Sequence, residues 1–320
     1  MVKYIHLTRF LLLFGLFAGC GSKQQPVKNN MLAQFIKSQK LENYPSGSTI
    51  SYYNDRFYVM GDDASSLLIL DTELNVVQEI PLFTSQNGRI AKADKADIEA
   101  SDWIIINGKP KLWLFSSGSL SPQRDSAFWF EPETGRTERI SFEGFHQKLT
   151  KAGIAELNIE AATTVNNSLL LGSRGNTSNP QNYLVKTLAS DVPGTVDLQI
   201  IHLNLPDQAG ISGMFYLEEE DILLVTTSTE ETDSSYDDGL IGASSLGFVY
   251  NISEKLSDDP LTPTGWIDLP ALHADFEGQK IESVSAHSSE AGEIIATLVS
   301  DDDKGGTRLF RLKLIRDRDQ

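Results

Sequence analysis

The chain has one cysteine in 320 residues, Cys20, so no disulfide can support its fold. Positive charge is also scarce. Lys and Arg number 27 against 44 Asp and Glu, and the formal net charge is -17. Phosphate backbones are bound by a basic face, so this balance speaks against a nucleic-acid partner. It also gives no charge attraction to anionic lipid. With five scattered histidines and a lone cysteine, a zinc site has too few soft ligands. The sequence contains no G-x-S-x-G elbow, no P-loop and no dinucleotide fingerprint. His146, His202, His273 and His287 have no Ser or Asp partner evident from spacing, and are expected as surface or satisfied core residues. Long amphipathic helices are missing too. The best helical candidates are Asn30 to Ser38 and a short turn near Phe145 to Ala152.

The N-terminus holds the longest apolar run. Lys3 and Arg9 give a positive start, Phe10 to Ala18 is apolar except for Gly15, and Ala18-Gly19 stands directly before Cys20. That run is too short to span a bilayer as a stable helix. It reads as a signal peptide over residues 1–19. Residues 20–30, polar and without periodicity, read as a tether. The remaining 31–320 form one domain.

That domain is strand-like. Short apolar or alternating runs recur at Arg56–Met60, Ser66–Asp71, Lys111–Phe115, Ala127–Phe130, Ser168–Leu171, Asp221–Thr226, Leu246–Tyr250, Glu293–Val299 and Thr307–Leu314. Asn54-Asp55, Asn107-Gly108, Glu133 to Gly135, Asn166-Asn167 and Asp301 to Gly306 supply the turns. A tetrad repeats among these runs: Asp97-Ile98-Glu99-Ala100, Asn158-Ile159-Glu160-Ala161 and Lys280-Ile281-Glu282-Ser283. Weaker echoes are Gly210-Ile211-Ser212-Gly213 and Tyr44-Pro45-Ser46-Gly47. Each introduces enough chain for a four-stranded sheet. Sheets repeated in a ring are the blades of a β-propeller, so the fold class is all-β, a single propeller of four-stranded blades. Five blades are favoured. Six stay open if the long unit Gly210 to Phe276 hides another sheet. The last unit supplies three strands, and Gln34 to Leu41 is the N-terminal strand that would close the ring.

Propeller topology places the first strand of each blade along the channel. Glu99, Glu160 and Glu282 would then converge at one mouth, with Ser46 and Ser212 in the other two places. Asp62 joins them from a second-strand end. These four acids are the candidate metal ligands, and Ca2+ suits their hard oxygens. Lys92, Lys95, Arg124, Arg174 and Asn176 fall on the same face as candidate ligand-binding residues. Crowded carboxylates repel, and either a cation or these bases would relieve them. The alternative is that the acids hydrogen-bond neighbouring blades and hold the ring together. Glu218 to Asp221 reads as a solvated turn. Glu230 to Asp238 reads as a long acidic loop on the mouth face.

Leu16-Phe17-Ala18-Gly19-Cys20 resembles the bacterial lipobox, with Phe17 where Leu is usual. The resemblance implies lipidation of Cys20 and a membrane anchor. Gly21 after the cysteine points to the outer membrane of the cell envelope. Tyr58 to Asp63, Ala96 to Ala100, Ser116 to Ser119 with Arg124, Leu157 to Ala161 and Ser173 to Asn176 resemble an uncharacterised bacterial family of secreted or lipid-anchored propeller-like proteins. The likeness covers Tyr44 to Leu314. The chain is more distantly similar to phytase-like, esterase-like propellers, in which acids on one face bind calcium and substrate phosphate. Two functions follow as expectations. One is an envelope lipoprotein whose propeller face binds an envelope protein, a glycan or a phosphorylated small molecule. The other is a divalent-cation-assisted phosphoesterase or esterase.

Overall fold

The computed structural model describes residues 30–85, 88–192, 198–206, 208–231, 240–289, 293–302 and 305–317. The leader, Cys20 and all of the tether before residue 30 lie outside the described residues, as does most of the acidic insertion (232–239). Among the described residues, 20 strands form five antiparallel four-stranded sheets. The first blade is β2 (Gly47–Tyr53), β3 (Arg56–Gly61), β4 (Ser66–Leu70) and β5 (Val76–Pro81). The second is β6 (Ile98–Ile106), β7 (Lys109–Ser116), β8 (Ser126–Glu131) and β9 (Arg136–Ser141). The third is β10 (Ile159–Val165), β11 (Ser168–Ser173), β12 (Asn182–Leu188) and β13 (Gln199–Leu203). The fourth is β14 (Ala209–Leu217), β15 (Ile222–Glu231), β16 (Leu240–Tyr250) and β17 (Gly265–Asp268). The fifth joins β18 (Lys280–Ser288), β19 (Ile294–Asp301) and β20 (Thr307–Asp317) to β1 (Asn30–Leu41).

The inner strands β2, β6, β10, β14 and β18 each pack against the next, and β18 packs against β2, so the ring is a closed five-bladed propeller. The long fourth unit holds no sixth sheet among the described residues. Its extra chain goes into the β15–β16 hairpin and the helical turns after β16 and β17. Hairpins turn where the sequence places Asn54-Asp55 and Asn107-Gly108. These residues have φ of 49°, 56°, 53° and 75°, as a two-residue type I′ turn requires.

The middle strands carry continuous apolar runs because both faces of each blade are covered by neighbouring blades. Leu67 to Leu70, Leu112 to Phe115, Leu169 to Leu171 and Ile222 to Val225 are all buried. Each such side chain contributes about 1.5–3 kcal/mol. Ring closure corrects one expectation. Asn30 to Ser38 is strand rather than helix. It pairs with β20 from Asn30 opposite Asp317 to Leu41 opposite Thr307. Its inward Met31 is 4 % exposed and its outward Leu32 is 55 % exposed, which is the alternation of a half-buried strand. The unpaired edge of β20 overrides local helix preference. The helix expected near Phe145 is present as α1 (Glu143–Lys151), which buries Phe145, His146 and Leu149 between the second and third blades.

Candidate functional site

Every inner strand carries one β-bulge near its start. Pairing skips a single residue in each blade: Ser48, Glu99, Glu160, Ser212 and Glu282. A bulge adds local twist and re-aims its side chain, here at the channel mouth. The tetrad therefore marks a backbone device. Four of its five positions coincide with the sequence expectation. The fifth does not, because Ser48 and not Ser46 takes the bulge in the first blade. Ser46 is instead equivalent to Asp97 and Asn158. The carbonyls of these three residues accept from Asp62 N, Ser117 N and Arg174 N at 3.0, 2.9 and 2.8 Å.

The two serines bond away from the mouth. Ser48 Oγ donates to Ile98 O of the second blade at 2.5 Å, and Ser212 Oγ donates to Ile281 O of the fifth at 2.6 Å. The glutamates instead enter a charged network. Its first half surrounds Asp97, whose carboxylate meets Lys95 Nζ at 2.7 Å, Arg124 Nη1 at 2.6 Å and Ser117 Oγ at 2.5 Å. Lys95 also contacts Asp62. One carboxylate oxygen each from Asp62, Asp97 and Glu99 lies within 4.8 Å of the others. The second half surrounds Lys280, 3.1 Å from both Glu230 and Glu282. Arg174 reaches Glu230 at 3.4 Å, Ser228 Oγ at 2.9 Å and Ile211 O at 3.5 Å. Glu160 accepts from Asn158 Nδ2 at 2.6 Å.

Electrostatics follows from this crowding. Burial pushes the Glu99 carboxyl well above its ordinary value, and Asp97, Glu160 and Asp62 push it further against the pull of Lys95. Burial likewise raises Asp62 and Glu160, the latter opposed by Arg174 and Lys280. Glu282 is pushed up to about 8 by burial, against the pull of Lys280. Burial also works against the Lys95 charge, but Asp97, Asp62 and Glu99 hold its ammonium above the usual lysine range. Among the described residues, two buried mouth oxygens, Asp62 Oδ1 and Glu282 Oε2, have no hydrogen-bond partner. Among the described residues Glu99 forms no ion pair.

The expected bases divide. Lys95, Arg124 and Arg174 are in the network, each on a carboxylate. Lys92 contributes its carbonyl, 3.5 Å from Arg124 Nη2. Asn176 serves its own loop, donating to Glu156 and accepting from Asn179 N at 2.7 Å. Three participants were missed in the sequence. Asp97 and Lys280 sit two residues before a bulge glutamate and read in the sequence only as tetrad members. Glu230, by sequence a loop residue, lies on β15 with its side chain 7 % exposed. Three histidines do have carboxylate partners. His146 Nδ1 lies 2.9 Å from Asp125, His202 Nδ1 2.9 Å from Asp259, and His273 Nδ1 3.6 Å from Asp275.

Comparison with known proteins gives the chain a family. It belongs to a family of unknown function (DUF6929), whose profile matches residues 43–314. No curated protein matches its sequence. Its fold is similar to glutaminyl cyclase of Myxococcus xanthus, with a TM-score of 0.53 and 12% identity over 91% of this chain and 99% of that one. A GH43 β-1,3-galactosidase gives a TM-score of 0.48 and 12% identity over 85% and 90% of the two chains. A streptogramin B lyase gives 0.39 and 10% over 92% and 100%. At 12% identity the likeness to the cyclase shows the fold alone, and the other two carry no argument.

Proposed function

We propose that this protein is a lipid-anchored binding module of the bacterial cell envelope. Its propeller mouth takes a ligand with a cationic group, an amine or Ca2+. The observation that carries this reading is an excess of carboxyl groups over basic ones. Among the described residues, six carboxylates (Asp62, Asp97, Glu99, Glu160, Glu230 and Glu282) share the mouth with four cations (Lys95, Arg124, Arg174 and Lys280). An incoming cation beside Glu99 stabilises its ionised form, so the carboxyl gives up a proton as the ligand binds. Affinity then rises with pH. The Asp62, Asp97 and Glu99 oxygens are hard ligands close enough to share Ca2+, which would compete there with the Lys95 ammonium.

That same cluster favours a second reading, a divalent-cation-assisted, phytase-like phosphoesterase or esterase. It ranks second because Lys95, Arg124 and Arg174, the groups that would clamp a phosphate, are each engaged by a carboxylate.

Thermal melts in calcium, in magnesium, in chelator and in cadaverine test the mouth. Calcium or cadaverine is expected to raise the midpoint by mass action, and Glu99→Gln to abolish the rise. No shift with any cation overturns the reading. Radiolabelled palmitate incorporation, lost in Cys20→Ser, tests the anchor. A phosphate-ester substrate panel turned over only with calcium would promote the second reading.

A further inference from the structure

Beside the mouth lies a cleft of about 530 Å3 between α1 and the loops 118–125 and 155–157. Its volume is in the ordinary range for a small-molecule site, about 300–1,000 Å3. One wall is His146, on α1. The carboxylate of Asp125 can only accept, so its 2.9 Å contact fixes the proton on His146 Nδ1 and leaves the Nε2 lone pair free. Nε2 has no hydrogen-bond partner among the described residues, although the residue is only 6 % exposed and lines the cleft.

The ring is held by more than Asp125. Phe142 packs edge-on to it with centroids 5.9 Å apart. Gly118, at φ 75°, lies so close that a Cβ there would stand 2.9 Å from His146 Cε1. A glycine is therefore required for the imidazole to sit where it does. The cleft is joined to the mouth network through Ser119. This residue lines the cleft, and its Oγ accepts from Arg124 Nη1 at 2.6 Å.

We propose that this cleft is a second ligand site, distinct from the charged mouth, for a neutral polyhydroxylated molecule of the sugar class. A ligand hydroxyl donates to His146 Nε2. The rim argues for neutrality. Lys151 repels an amine, while Glu143 and Glu156 repel an anion. Around them, Ser121 and Gln147 offer the short-range donors and acceptors that sugar hydroxyls match.

The test is to label the histidines with 15N and follow His146 as glucose, galactose, N-acetylglucosamine, maltose and cellobiose are added separately. At least one is expected to move His146 Nε2 while the exposed His202 stays in place. His146→Asn keeps an amide donor toward Asp125 but has nothing in place of the Nε2 acceptor. Affinity for that sugar should fall about tenfold, the value of one lost hydrogen bond. Should His146→Asn fail to fold, the wild-type titration decides alone. A His146 resonance unmoved by every sugar, or a folded His146→Asn that binds as tightly, overturns the proposal. Glu99→Gln should leave sugar binding intact, which separates this site from the mouth.

Discussion

Ser48 and Ser212 occupy the same bulge as Glu99, Glu160 and Glu282, yet they bond in a different direction. The serines reach sideways to a carbonyl of the next blade and act as joints between sheets. The glutamates face the mouth: Glu160 bonds to Asn158 and Glu282 to Lys280, and Glu99 meets no donor among the described residues. One backbone device thus serves two ends. A short hydroxyl is consumed by the nearest carbonyl, whereas a longer carboxylate extends past it into shared space. The blades that hold the ring together and the blades that give the mouth its charge are separable by mutation.

The largest effect is expected where the charged half is broken from one side. Arg174→Met leaves Glu230 and Glu160 buried without their guanidinium. Lys280 still faces Glu230 at 3.1 Å, so the cost should approach but stay below about 3–5 kcal/mol, that of a buried pair broken outright. Urea unfolding would read this as a lower midpoint at unchanged slope. A cost below about 1 kcal/mol would mean that the mouth is as wet as an exposed surface.

The next effect is pH dependence, which should come from the mouth carboxyls and not from the serine joints. Glu282 titrates at about 8 in the fold against 4.5 as its ordinary value. Between those values the native state holds more protons than the unfolded chain. Stability is therefore fully present below about 4.5 and is lost as pH rises through about 8. One proton limits the slope to about 1.4 kcal/mol per pH unit. The raised Glu99, Glu160 and Asp62 act in the same sense. Unfolding measured from pH 5 to 8 should show the decline. Glu282→Gln should make it shallower, the other raised carboxyls (buried Asp102 at about 7 among them) keeping a remainder, and Ser212→Ala should leave its slope unchanged.

The joints come third. Ser48→Ala and Ser212→Ala each remove one buried hydrogen bond and orphan a carbonyl, at a cost of about 1 kcal/mol. They lie in different blade interfaces, so the double variant should cost their sum. A clear departure from additivity would show that the ring transmits strain between joints.

The fold was largely legible because blade repetition imposes one pattern many times. Turn residues, apolar runs and the third position of the tetrad recur, and the structure assigns that position to the bulge at Glu99, Glu160, Ser212 and Glu282. The first blade was misread by two residues. Tyr44-Pro45-Ser46-Gly47 has no apolar residue before the bulge: Gly47 stands where the other blades have isoleucine, and its space is taken by Thr307 and Val299. Asn30 to Ser38 was ambiguous because a strand that closes a ring is specified by a partner more than 260 residues away. The site was legible only in outline. Composition cannot reveal that Lys95 pairs with Asp62 and Asp97, or that Glu230 folds back from an acidic insertion onto Lys280. The Asp125–His146 pair, 21 residues apart, is brought together only when α1 packs between two blades.

The smallest effect on stability should accompany the largest effect on binding. Burial and acidic neighbours favour the neutral form of Glu99, and a glutamine has nearly the shape of that form and is likewise neutral. Glu99→Gln should therefore change unfolding free energy by no more than about 0.5 kcal/mol, as for a change that disturbs no packing or buried pair. The same substitution removes the only group at that bulge able to ionise when a cation arrives. Cation binding and the proton release coupled to it should disappear together, as measured by calorimetry in buffers of different ionisation enthalpy. The serine variants should show the converse, with lower stability and unchanged cation response. If Glu99→Gln instead destabilises the fold by as much as Ser212→Ala, the glutamates are joints like the serines, and the distinction between the two kinds of blade fails.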